Sequence, residues 1–303
     1  MGGASPDYPI NSSFIQNPNG SRLWPLALTI ILASVLVILG PALLDLSTRM
    51  ATRLALDARN PGLAEEIISL VIILKPDSAQ LHDALGYAQY LQGRVPEALA
   101  SFERAVALDE SYPTAQNNLG VTLFGQEEVD RAIEHLQAAI RLDPANSAAY
   151  FNLANAFLKA GERRLAAENY QLAYKLDPSQ IEAQARWAAI ALEEGQLSQA
   201  RAAWRQVIAA DPSHAMARRG LGVIAFREGD PAEALINLQT ALTSDPYDPI
   251  TRFYTGLALK ATGRLPEAAA EFERAIVLSS DPDLVSQAKA HLASIRQSLN
   301  PES

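Results

Sequence analysis

Apolar residues along most of the chain recur at intervals of three and four, as at Leu153, Ala154, Phe157 and Leu158. That spacing puts them on one face of an α-helix and predicts an all-α protein. The helices themselves recur. Set in rows of 34 residues starting at Ala79, Pro113, Ser147, Ile181, Ala215 and Pro249, the chain shows columns of like residues. The eighth column reads Gly86, Gly120, Ala154, Ala188, Gly222, Gly256, and the twentieth reads Ala98, Ala132, Ala166, Ala200, Ala234, Ala268. The twenty-fourth is bulky: Phe102, Leu136, Tyr170, Trp204, Leu238, Phe272. Small residues in the eighth and twentieth columns let two helices approach closely, and the bulky column fills the space between one unit and the next. The fifteenth column, glycine at Gly93, Gly161, Gly195, Gly229 and Gly263 but Glu127 in the second row, ends a first helix. The pairs Asp143-Pro144, Asp177-Pro178, Asp211-Pro212 and Asp245-Pro246 end a second, because the residue before proline avoids helical geometry; Glu110 and Ser280 break that pattern. Each row therefore predicts one helical hairpin, and residues 79–282 predict six in succession.

The flanks differ. Residues 45–78 fit the same frame loosely, with Ala64 in the twentieth column and Pro76 in the thirty-second. Their run Ile67–Leu74 is apolar except for Ser69; it either packs under the first good repeat or rests on a membrane or a membrane-embedded partner. Residues 283–299 place Val285, Ala288, Leu292, Ile295 and Leu299 on one face, as a helix covering the open end of a stack requires. Leu23–Leu44 holds 22 residues without a charge, between Arg22 and Asp45. As a helix it would reach about 33 Å, enough for a hydrocarbon core of roughly 30 Å. It is read as a retained transmembrane helix, since it is too long for a signal peptide and no Ala-x-Ala cleavage site follows. Residues 1–22, rich in Gly, Pro, Ser and Asn, are read as a flexible tail.

The 34-residue period with its small, small, bulky and proline columns resembles the tetratricopeptide repeat (TPR) family. The resemblance covers about 79–282 well and 45–78 weakly. It implies a right-handed α-solenoid of about six full repeats, one degenerate membrane-proximal repeat and a capping helix, with a concave groove for proteins or peptides. In the family the first helix of each repeat lines that groove, chiefly through columns two, five, nine, twelve and thirteen. Carried over, columns nine and twelve give an apolar stripe that includes Tyr87, Tyr90, Phe124, Leu158, Leu192 and Phe226, interrupted by Asn155, Ala189 and Lys260. A polar set runs beside it: Asn118, Asn152 and Arg186 in column six, Arg219 in column five, and Lys159 and Arg227 in column thirteen. Facing the groove, the cations would make it attractive to a partner's carboxylates. The family's carboxylate clamp is incomplete. Asn152 and Arg186 match two of its positions, whereas Asn117, Val121 and Glu182 stand where it needs lysine, asparagine and lysine.

A net charge of −9 argues against a nucleic-acid partner. The chain has no cysteine, which excludes disulfides and thiolate metal sites. His82, His135, His214 and His291 fall in columns the frame does not bring together, no His-Glu pair has metal-ligand spacing, and no glycine loop cradles a phosphate. No catalytic group, cofactor or metal is expected. The reading is a non-catalytic, membrane-anchored scaffold that binds protein partners, themselves membrane-associated, and assists assembly or regulation of a membrane complex. A fixed structural subunit of such a complex, a periplasmic envelope-assembly factor and an enzyme stand as alternatives. Arg49, Arg53 and Arg59 after the span, against Arg22 before it, place the repeats in the cytoplasm, with the extracytoplasmic side as the alternative.

Overall fold

The computed structural model describes residues 61–299. The expected tail (1–22), the expected span (23–44) and the first part of the degenerate repeat (45–60) lie outside the described residues. Those described form 14 α-helices and no strand, and no helix among them is long and apolar enough to cross a membrane. The chain divides into two compact units, with the boundary after Glu110.

The first unit contains α1 (Pro61–Leu74), α2 (Ala79–Leu91) and α3 (Val95–Leu108). Helix α1 sets Ala64, Ile68 and Val71 against Leu81, Ala84 and Ala88 of α2. The apolar run Ile67–Leu74 is thus split between two environments: Ile68 and Val71 are buried under the first full repeat, while Leu70, Ile73 and Leu74 are exposed. Ser78 caps α2 by accepting the Leu81 N–H. Arg94 binds both carboxylate oxygens of Glu65, at 2.7 and 2.8 Å, and so ties the α2–α3 turn to α1.

The second unit runs from α4 (Pro113–Gly125) through α5 (Val129–Leu142), α6 (Ser147–Lys159), α7 (Arg163–Leu176), α8 (Ile181–Glu193) and α9 (Leu197–Ala210) to α10 (Ala215–Arg227), α11 (Pro231–Ser244), α12 (Pro249–Ala261), α13 (Leu265–Leu278) and α14 (Pro282–Leu299). Every first helix of a hairpin begins at the residue that opens its 34-residue row. Within each hairpin the two helices pack antiparallel, and in this unit each second helix also packs on the helix that follows it. The columns explain this. All six alanines of the twentieth column are buried to 0% exposure, and the bulky column is equally enclosed. The eighth-column residue meets the twenty-fourth of its own repeat: a Cβ added at Gly120 would lie 2.7 Å from Leu136, and one at Gly222 would lie 2.6 Å from Leu238. Truncating one of the large twenty-fourth-column side chains would cost about 3–5 kcal/mol.

The ends of the helices are set by local chemistry. Asp143, Asp177, Asp211 and Asp245 sit just past their helices, and each carboxylate accepts the backbone N–H two residues on, which closes the turn around the proline. At the inter-helix turns the fifteenth column is left-handed throughout. Glu127 adopts it too, with φ 64° and no glycine to relieve it. In the fourth column, Arg218 and Arg252 reach back to the carbonyls of Pro212 and Pro246, at 2.8 and 3.1 Å from Nε, and latch a first helix to the loop before it. Helix α14 begins at Pro282 and covers the last repeat with Ala288, Leu292 and Ile295. Its His291 ring stacks on Phe272, with centroids 5.3 Å apart at 14°.

Candidate functional site

The residues expected to meet a partner lie on the first helices, and the structure gives many of them partners within the chain. In the first unit, Tyr87 is half-buried against the core while Tyr90 is 42% exposed. In the second unit Val121, Phe124 and Leu158 are half-buried on the cluster around Tyr170, and Phe226 packs edge-on to Tyr254 with centroids 6.2 Å apart. In the second unit the ninth and twelfth columns therefore form an apolar lining that is partly used in packing one first helix against the next.

The polar set is more committed still. Asn152 donates from Nδ2 to Asn117 Oδ1 at 3.0 Å, and the Asn117 amide reaches Asn118 Oδ1 at 3.4 Å. Asn155 accepts the Tyr170 hydroxyl at 2.6 Å, so its role is to satisfy a buried phenol. Burial pushes the Tyr170 hydroxyl pKa up, against the pull of nearby Arg186. Three of the four cations expected to make the groove basic face the chain's own carboxylates, and Arg227 is the exception. Lys159 pairs with Glu127 at 3.3 Å, Arg186 with Glu182 at 3.0 Å, and Arg219 with Asp248 at 2.8 Å. The Arg186 guanidinium also lies over the Phe151 ring, 5.9 Å from its centroid. Burial pushes Asp248 up, but the Thr251 hydroxyl and the Arg219 guanidinium outweigh it and hold the carboxyl below its ordinary range. Glu182 is held low mainly by its hydrogen bond from His214 Nε2 at 3.2 Å, and the same contact raises His214.

The second unit has a cavity on this face. Between α8, α10 and α12 lies a cavity of about 160 Å³, lined by Ala189, Leu192, Val223, Ile250 and Tyr254. Its floor is Gly220 with the Trp204 indole beneath, and its rim carries Glu193, Arg219 and Arg227. Gly220 stands in the sixth column, where the other repeats have Ala84, Asn118, Asn152, Arg186 and Tyr254. It is glycine because Trp204, the largest member of the bulky column, fills the space a side chain would need: an added Cβ would lie 2.3 Å from the indole. The indole N–H is satisfied by the Ala185 carbonyl at 3.2 Å, which fixes the ring. The sequence signal was present as the one glycine of the sixth column, sixteen residues after the one tryptophan of the twenty-fourth. On the rim Glu193 is paired with Arg163 and Arg219 with Asp248. Among the described residues Arg227 makes no ion pair and is exposed. Among them, too, no three His, Cys, Asp or Glu side chains gather to hold a metal ion.

A tetratricopeptide repeat profile matches residues 117–181, 186–249 and 237–283, and a TPR repeat profile matches 90–127. The chain belongs to the tetratricopeptide repeat family. No curated protein matches this TPR chain. Solved structures do. A structure of pilF from Pseudomonas aeruginosa shares 20% identity over 69% of this chain and 96% of its own, with a TM-score of 0.64. YrrB, described as a TPR protein with an unusual peptide-binding site, shares 23% identity over 65% of this chain and 97% of its own, at 0.53. A TPR protein from Parabacteroides merdae shares 17% over 82% and 99%, at 0.56. At these identities the likeness concerns the fold.

Proposed function

We propose that this TPR chain is a non-catalytic, membrane-tethered scaffold that holds a protein or peptide partner against the first-helix face of its repeats, and so assists assembly or regulation of a membrane protein complex. The observation that carries the binding half is the open cavity between α8, α10 and α12 on the first-helix face. That YrrB, which shares the fold, has a peptide-binding site supports the same reading. The tethering half rests on the uncharged segment Leu23–Leu44. A tether confines the binding face to a thin layer beside the bilayer and raises its effective concentration for other membrane proteins.

Crosslinking the full chain in native membranes, followed by identification of what is attached, tests both halves. A membrane protein attached through α8, α10 or α12 is the expected result. A chain that washes off membranes at high pH overturns the tether. Attachment only through the second helices overturns the groove. Recovery in one fixed stoichiometry with a single complex would favour a structural subunit over a transient scaffold.

A further inference from the structure

The cavity is specific enough to say what enters it, given the groove reading on which this inference rests. The geometry points to one bulky apolar side chain, leucine-sized to phenylalanine-sized, presented by a peptide segment that also carries a carboxylate beside it for Arg227. Three features support this. First, a volume of about 160 Å³ accommodates a single ring or branched aliphatic group, since a comparable apolar cavity in another protein takes up benzene. Second, the walls at Ala189, Leu192, Val223 and Ile250 are aliphatic and carry no polar side-chain group to receive a polar side chain. Third, the rim is electrically uneven. Glu193 and Arg219 are each neutralised by Arg163 and Asp248, and Arg227 stands two turns of helix from Gly220 without a carboxylate. An incoming Asp, Glu or chain terminus supplies the missing charge, and a basic peptide does not.

The test uses the full-length chain in detergent and a random displayed peptide library as the probe. Enriched peptides are resynthesised, and binding is followed by fluorescence anisotropy. The expected result is a shared pair of one bulky apolar residue and one neighbouring acid. Replacing the apolar residue by Ala should weaken binding by about ten- to a hundredfold, the range expected for burying such a side chain. Arg227→Glu, on the surface, should weaken it by about tenfold or more, and changing the peptide's acid to a lysine should restore part of the loss. Ala189→Phe fills the cavity and should abolish the preference for the bulky residue while leaving the melting curve in place. Enriched peptides of other composition, or peptides indifferent to both Ala189→Phe and Arg227→Glu, overturn this assignment and leave the groove reading standing. A library from which nothing is enriched overturns the groove reading itself.

Discussion

At the scale of single residues, the chain pays for two local departures from its own pattern. Glu127 occupies a left-handed turn position that glycine fills in the other full repeats. Glu127→Gly should stabilise the protein by about 1 kcal/mol, read as a higher urea midpoint at unchanged slope, because a Cβ in that conformation costs on this order. The lost contact with Lys159 subtracts little, since both groups are largely solvated. Gly220 departs in the opposite sense. Gly220→Ala should cost about 1–3 kcal/mol by driving a methyl into the Trp204 ring. Adding Trp204→Leu, which restores the residue type of Leu136 and Leu238, should recover much of that cost, and a double-mutant cycle on unfolding free energies would measure the coupling. A Gly220→Ala protein as stable as the parent would show that the indole is free to move. Both features were visible in the letters, but only as exceptions to columns. The consequence of the second, an open cavity, depended on which way the indole lay.

Among the helices, the frame was readable because packing repeats. Each hairpin solves the same steric problem, so the same small and bulky residues return at the same offsets, and the first helices start where the rows start. The binding face was much less readable. Lys159, Arg186 and Arg219 look available in the sequence, and what consumes them, Glu127, Glu182 and Asp248, comes from other columns and in one case another repeat. Two predictions belong here. Glu182 on α8 and His214 at the start of α10 join neighbouring repeats. The raised imidazole contributes stability that is fully present below its unfolded value of about 6.5 and is lost as pH rises through its folded value. The lowered carboxyl contributes stability that is present above about 4.3 and is lost as pH falls through its folded value. The pair therefore contributes most between about pH 4.3 and 6.5, so His214→Ala should lower the melting temperature across that window and remove the fall that the parent shows as pH rises above about 6.5. The cap gives the second. Ile295 is at 0% exposure, so Ile295→Asp should cost about 3–5 kcal/mol. The loss should be local, with hydrogen exchange rising in α13 and α14 while α4 to α6 stay protected, as expected of a linear array of repeats.

For the whole molecule, the proposed tether leads to a prediction of topology. The chain has no cysteine, so single replacements give a clean readout. With the repeats in the cytoplasm, Ser303→Cys should resist a membrane-impermeant maleimide on intact cells and react after lysis, while Ser5→Cys reacts on intact cells. The reverse pattern would put the repeats outside, against the arginine count around Leu23–Leu44. Finally, helix α14 has a bearing on crowding. A stack of like hairpins with a bare end invites the first hairpin of another copy, a head-to-tail union that propagates into fibres instead of closing. Here Phe272 and Ala275 lie sealed beneath Ala288, Leu292 and Ile295, and Lys289 and Arg296 are exposed on the outer side. Among the described residues, the packing seam of the last repeat is thus closed to the first hairpin of a second copy.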